Sequence, residues 1–173
     1  MNIKIKSQLR KITTFVFDVD GVLTDATVIA LRGGELARAF NVKDGYALAT
    51  AVKSGYRIVI ISGGKDESIR ERLSPLGIKD IFLGVKTDQK LAVFDKYIEE
   101  NNLSADEILF MGDDLPDWEI MKHRAVLSAC PVDAVDEIIE IADYNSIRKG
   151  GDCAAREVIE LVMKEQGKWM KIF

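Results

Sequence analysis

The sequence predicts an α/β protein: a doubly wound parallel sheet carrying a small β-hairpin flap and no large cap domain. Three observations lead there. Apolar, β-branched runs recur five times along the 173 residues, each followed by a stretch of helical spacing. That alternation is what a parallel sheet with helices on both faces requires. Two of the runs end in clustered carboxylates, Asp18 and Asp20 after the first, and Asp113, Asp114 and Asp117 after the fourth. In open parallel sheets ligands bind outside the carboxyl ends of the strands, so these residues are expected at one edge.

The first run, Thr13 to Phe17, is β-branched and aromatic and reads as a buried strand. Asp18 and Asp20 follow it, on the same side of an extended chain, and Gly21 turns the backbone sharply. Two like charges held this close need a cation or a shared proton. A hard-cation site with one carboxylate free to act as nucleophile meets that need. Residues 26–40 then offer two short extended runs around Gly33-Gly34. They read as a hairpin, either a flap over the acidic stretch or a surface feature.

Asn41 to Gly45 leads into a helix from about Gly45 to Ser54, with Asp44 as its expected cap and Gly55 ending it. Lys43 and Asp44 are candidates for contact with a polar ligand, or a cap and its solvated neighbour. Tyr56 to Ile61 is a second buried strand, ending in Ser62-Gly63-Gly64. A hydroxyl and glycines before a helix suit an oxyanion, and they serve equally as a cap and turn. The next helix, about Asp66 to Leu76, carries Arg70 and Arg72; Ile81 to Val85 is a short third strand. Lys90 lies in the first turn of a helix from about Asp88 to Asn101, where the dipole disfavours a cation, so a nearby anion is expected. Lys86 is the rival candidate.

Glu107 to Met111 is the fourth strand, and Leu115 to His123 the helix after it, with Pro116 in its first turn and Asp114 as its cap. Capping accounts for one carboxylate of three. A fifth strand (Ala125 to Ala129), a helix (Asp133 to Ala142), a short extended piece (Tyr144 to Ile147) and a last helix (Ala154 to Gln166) complete the chain. Before that helix, Arg148 to Gly151 reads as a solvated loop or an anion site, with Arg156 in the helix's first turn. The terminal stretch from Gly167 through Trp169 to Phe173 either reaches a neighbouring subunit's site or frays.

Composition narrows the function. The chain is 47% hydrophobic and 30% charged with a net charge of −4, and no Lys/Arg block stands out, which argues against nucleic-acid binding. No segment approaches the ~20 apolar residues of a membrane helix. Residues 1–11 lack the apolar run of a signal peptide. Cys130 and Cys153 form no CxxC pair, consistent with a reducing cytoplasm. Carboxylates, a hydroxyl, a lysine and glycine-rich loops gathered at one sheet edge describe phosphoryl transfer with Mg2+.

The segments Asp18-Val-Asp20-Gly-Val-Leu-Thr24, Ser62, Lys90 and Gly112-Asp113-Asp114-Leu-Pro-Asp117 resemble, in order, the four motifs of the haloacid dehalogenase superfamily of phosphatases, a Rossmann-like fold. Phe40 to Tyr46, Gly112 to Trp118 and Gly150 to Glu157 resemble the 3-deoxy-D-manno-octulosonate 8-phosphate (KDO 8-phosphate) phosphatase family. The resemblance implies Asp18 as nucleophile and Asp20 as general acid/base, with Mg2+ held by Asp18, the Asp20 carbonyl and Asp113. Asp114 and Asp117 stand behind the metal ligands. Ser62, Gly63 and Lys90 hold the phosphoryl group, while Lys43, Asp44, Gly45, Arg72 and Arg156 lie near the sugar. It implies a cytoplasmic homotetramer in which a neighbouring subunit closes each site, acting on a sugar-acid phosphate in lipopolysaccharide precursor synthesis. Two departures stand out: Ser62-Gly63-Gly64 where the family often has Thr-Gly-Arg, and Gly-Gly-Asp-Cys-Ala where its tail motif is Gly-Gly-x-Gly-Ala. Two alternatives follow, a phosphatase of a nine-carbon sialic-type acid 9-phosphate and a non-catalytic oligomerising domain of the same fold.

Overall fold

The computed structural model describes residues 3–171. Their main sheet has six parallel strands in the order β5-β4-β1-β6-β7-β8: β1 is Thr14–Phe17, β4 Arg57–Ile61, β5 Asp80–Phe82, β6 Ile108–Met111, β7 Leu127–Cys130 and β8 Tyr144–Asn145. Successive residues of β1 enter opposite cores. Phe15 and Phe17 join Ile58, Ile60, Leu109 and Met111 on one face, while Val16 joins Val59, Ile61 and Phe110 on the other. This is why the central strands are apolar at consecutive positions rather than at alternate ones.

Helices α2 (Val42–Lys53), α3 (Glu67–Leu73) and α7 (Ala154–Glu165) bury Leu48, Ile69 and Val158 against the first face. Helices α4 (Lys90–Glu100), α5 (Leu115–His123) and α6 (Asp136–Ile141) bury Phe94, Ile120 and Ile138 against the second. The chain runs outward from β1 to β4 and β5, then returns to place β6 on the other side of β1. The switch point therefore lies between β1 and β6, whose carboxyl ends carry Asp18 and Asp113.

The hairpin is present and short. β2 (Ile29–Ala30) pairs antiparallel with β3 (Leu36–Ala37), and Val28, Ile29 and Leu31 are exposed on it.

Several boundaries differ from expectation. Residues 3–9 form a helix, α1 (Ile3–Leu9), where only a polar segment was expected. Helix α2 is capped by Asn41, whose side chain accepts the Lys43 N–H at 2.9 Å, so Asp44 is not the cap. Strand β5 stops at Phe82; Gly84 and Val85 instead donate to the carbonyls of Gly64 and Ser62 at 2.9 and 3.0 Å, bracing that loop from outside the ladder. Strand β7 is shifted toward Cys130. Helix α6 starts at Asp136 because Asp133 is committed elsewhere, its carboxylate accepting the Gly150 N–H at 2.9 Å.

Candidate active site

The site is built on the ends of β1 and β6. The Asp18 N–H donates to the Met111 carbonyl at 3.1 Å, extending the ladder by one residue and delivering the Asp18 side chain to the switch point. Its Oδ1 accepts the Val19 N–H at 2.7 Å, while Oδ2 faces the Lys90 ammonium at 3.0 Å. Lys90 is the first residue of α4 and is buried. Its second partner is Asp117 of α5, at 2.6 Å. The anions expected beside this lysine are thus Asp18 and Asp117; Lys86, the rival, is exposed.

Asp117 is fully buried, and its other oxygen accepts the Asp113 N–H at 3.1 Å. Ligand oxygens of Asp18, Asp113 and Asp117 lie within 4.8 Å of one another. One ammonium does not neutralise three carboxylates, and the imbalance shows in the acidity of Asp18 and Asp113. Burial is the main cause that pushes Asp18 up to about 7, with Lys90 opposing and Asp117 adding to it. Burial and the charges of Asp18 and Asp117 push Asp113 up to about 8. Burial works against the Lys90 ammonium, but Asp117 and Asp18 outweigh it and hold its pKa above the ordinary range.

This donor set fits a hard divalent cation. Oδ1 of Asp113 is buried with no hydrogen-bond partner among the described residues, which is costly for a carboxylate unless something binds there. The turn opposite is held open for it. Gly21 has φ of +89°, and a Cβ there would lie 1.9 Å from the other Asp113 oxygen. Asp18, Asp113 and Asp117 are the residues whose carboxylates could hold such an ion.

Asp20 lies outside the carboxylate cluster. Its side chain is gripped by Arg38 of the hairpin, Nε to Oδ1 at 2.7 Å and Nη2 to Oδ2 at 3.1 Å, while Arg38 Nη1 reaches Asp66 at 3.0 Å. The hydrogen bond to Asp20 is the largest cause raising the Arg38 pKa, with burial opposing. Sequence reasoning passed over Arg38. Its signal is a lone cation in an otherwise apolar arm, Leu36-Ala37-Arg38-Ala39-Phe40.

Ser62 is buried at the end of β4, with its hydroxyl accepting the Gly64 N–H at 3.1 Å, and Gly63 is exposed beside it. Asp114 caps α5, accepting the Leu115 N–H at 2.7 Å. Arg72 reaches over Gly45, and it lines a cleft of about 700 Å³ together with Arg38, Phe40 and Asp66. Lys43 and Arg156 line a different cleft, of about 640 Å³, with Tyr144 and Asp152. Asp44 is buried and committed to structure. Its oxygens accept the N–H groups of Cys153 and Arg156 at 3.2 and 2.8 Å, capping α7 from another helix. The Gly150-Gly151 loop packs on the back of the turn after Asp18: a Cβ at Gly150 would lie 1.8 Å from the Gly21 carbonyl oxygen, and Gly151 donates to the Val22 carbonyl. Trp169 lies against the Arg156 guanidinium, 5.6 Å from ring centre, and Lys168 over Tyr56 at 4.5 Å. Residues 172 and 173, the end of the tail stretch, lie outside the described residues.

No protein-family model matches the chain. The 3-deoxy-D-manno-octulosonate 8-phosphate phosphatase of Escherichia coli (strain B / BL21-DE3) is 35% identical over 164 residues, 95% of this chain and 86% of that protein. The crystal structure of the same-named phosphatase from Yersinia pestis superposes with a TM-score of 0.93 at 30% identity, over 99% of this chain and 91% of that one. That from Moraxella catarrhalis, in complex with magnesium ion, phosphate ion and a KDO molecule, gives a TM-score of 0.90 at 30% identity, over 96% and 94%.

Proposed function

Because the chain belongs to the KDO 8-phosphate phosphatase family of the haloacid dehalogenase superfamily, we propose that it hydrolyses KDO 8-phosphate to KDO and phosphate. The observation that carries the reading is the buried Lys90 ammonium bridging Asp18 and Asp117, beside the unpartnered Asp113 oxygen. It leaves one carboxylate oriented for attack and a second ready for a cation. The cofactor is Mg2+, for which Asp18 and Asp113 supply side-chain oxygens and Asp20 its carbonyl. Bound there, it offsets charge on the phosphoryl oxygens.

An Asp18 oxygen attacks phosphorus while the ester P–O bond breaks, giving an aspartyl-phosphate. The departing sugar alkoxide takes a proton from Asp20. Asp20 then takes a proton from water as that water attacks the aspartyl-phosphate, releasing inorganic phosphate and restoring the Asp18 carboxylate. Lys90 holds Asp18 in line and, with Ser62 and the Gly63 N–H, meets the phosphoryl oxygens. Asp117 fixes the lysine, and Asp114 fixes the helix that carries Asp117. Arg72 and Gly45 face the sugar side; Lys43 and Arg156 contribute from the second cleft, and Asp44 acts by holding α7. The enzyme is a cytoplasmic, single-domain homotetramer supplying a lipopolysaccharide precursor. The exposed apolar residues of the flap supply its subunit contact.

Gly64 stands where the family often carries arginine, which weakens the exact substrate assignment and leaves one competing substrate, a nine-carbon sialic-type acid 9-phosphate. An assay of purified protein with both esters and Mg2+, following phosphate release, decides between them. The expected result is the higher kcat/KM on KDO 8-phosphate, lost in chelator. Preference for the nine-carbon ester reassigns the substrate, and no turnover of either ester removes the phosphatase reading.

A further inference from the structure

Arg38 belongs to the flap, yet its side chain is only 4% exposed. A hairpin with two-residue strands gains little by burying a guanidinium, and desolvating one between carboxylates is repaid only when the geometry is kept. The geometry here is kept by three donors. Nε and Nη2 take one oxygen each of Asp20, and Nη1 takes Asp66 from the turn before α3. A planar guanidinium fork matches a carboxylate at two points, fixing both the position and the plane of the group it grips. Asp20 has little else to aim it: among the described residues, its other side-chain hydrogen bond is from the Thr24 hydroxyl at 3.5 Å. The surroundings are shaped around the guanidinium: a Cβ at position 64 would lie 3.0 Å from Nη2 and 2.9 Å from Cδ1 of Ile69.

We propose that Arg38 is a positioning residue for Asp20, carried on the flap, so that acid/base geometry exists only where the flap is seated. The inference rests on the reading of Asp20 as general acid/base. It predicts a dependence on leaving group. Breaking the P–O bond of a sugar ester expels an alkoxide, which needs the Asp20 proton. Breaking that of p-nitrophenyl phosphate expels a stable phenolate, which does not. Because kcat/KM reports steps up to formation of the aspartyl-phosphate, it isolates the proton donation.

The experiment measures kcat/KM with Mg2+ for wild type, Arg38→Ala and Arg38→Lys on a sugar-acid phosphate and on p-nitrophenyl phosphate, with folding followed by circular dichroism. For Arg38→Ala the sugar ester is expected to lose about 100-fold, the scale of a misplaced general acid, and the aryl ester less than about fivefold. Arg38→Lys, whose single ammonium cannot grip both oxygens, is expected to fall between, with the same direction of selectivity. Equal losses on both esters, or an unchanged ratio in a folded Arg38→Lys variant, overturn the inference and leave the phosphatase reading standing. Wild-type protein that hydrolyses neither ester overturns both.

Discussion

At the scale of single residues, the carboxylate cluster sets both chemistry and stability. Asp18→Asn is expected to keep the fold and reduce turnover by at least about 1,000-fold, because an amide cannot form the acyl phosphate. Residual activity within about tenfold of wild type would reject Asp18 as nucleophile. In metal-free protein, Asp18 and Asp113 hold protons more tightly when folded, to about 7 and 8, than the ordinary 3.8 of an unfolded carboxylate. Their contribution to stability is therefore fully present below pH 3.8 and lost progressively as pH rises from there through about 7 and 8. A cation competes with those protons, so the gain in Tm from Mg2+ over chelator should grow between pH 6 and 9. Asp113→Asn should abolish that gain and, above pH 8 where Asp113 is ionised, raise the Tm in chelator, since it then removes one of three crowded charges. A lower Tm in chelator would show that Asp113 stabilises the apo fold. The crowding was legible in the sequence, because carboxylates at the end of an apolar strand are chemically odd. The grip of Arg38 was not: its partners Asp20 and Asp66 lie 18 and 28 positions away, and only the folded hairpin brings them together.

At the scale of elements, α7 is held by a residue it does not contain. Its exposed N–H groups at Cys153 and Arg156 are met by Asp44 of α2, and burial pushes the Asp44 carboxyl up in pKa, with those hydrogen bonds opposing. Asp44→Ala leaves both donors unmet and should cost about 1–3 kcal/mol of stability; Asp44→Asn, which keeps an acceptor, should cost less. Equal costs, read from urea unfolding midpoints, would mean that the cap is not what Asp44 provides. The central strands were legible because both their faces are buried, and α5 because Pro116 and Asp114 mark its start. Asn41 and Asp44 are both good caps three residues apart, and local chemistry alone does not choose between them. Helix α1 was hidden for a similar reason: Ile3-Lys4-Ile5-Lys6 alternates with a period of two, and only Leu9 of this helix is buried.

At the scale of the whole molecule, the parallel alternation was legible, whereas strand order was not. A helix following a strand does not say which side its next strand will take. We propose that closure of the site is likewise decided above the single chain. The flap presents Val28, Ile29 and Leu31 to solvent at 39%, 58% and 47% exposure and is too small to seal the cleft beside it. In the proposed oligomer, a second copy that buries those residues would supply the missing wall and remove an exposed strand edge. Light scattering at assay concentration is expected to give four subunits. Val28→Lys with Ile29→Lys should shift the mass toward monomer and lower kcat/KM by tenfold or so. A fully active monomer would show that the chain closes its own site.

Cys130 ends β7, two strands along from β1 and Asp18, with its side chain fully buried; burial and then the Asp113 charge push its thiol up to about 11. Cys153, at the start of α7, is only partly covered. The two thiols thus form a clock with two hands. A thiol-specific reagent should modify Cys153 quickly and Cys130 only when the sheet opens. If opening and closing are fast relative to modification, the slow phase measures the free energy of that opening in the native protein, without denaturant. Mg2+ seated between β1 and β6 should lengthen that phase at fixed pH, giving a reading of cation affinity that needs no substrate and no turnover.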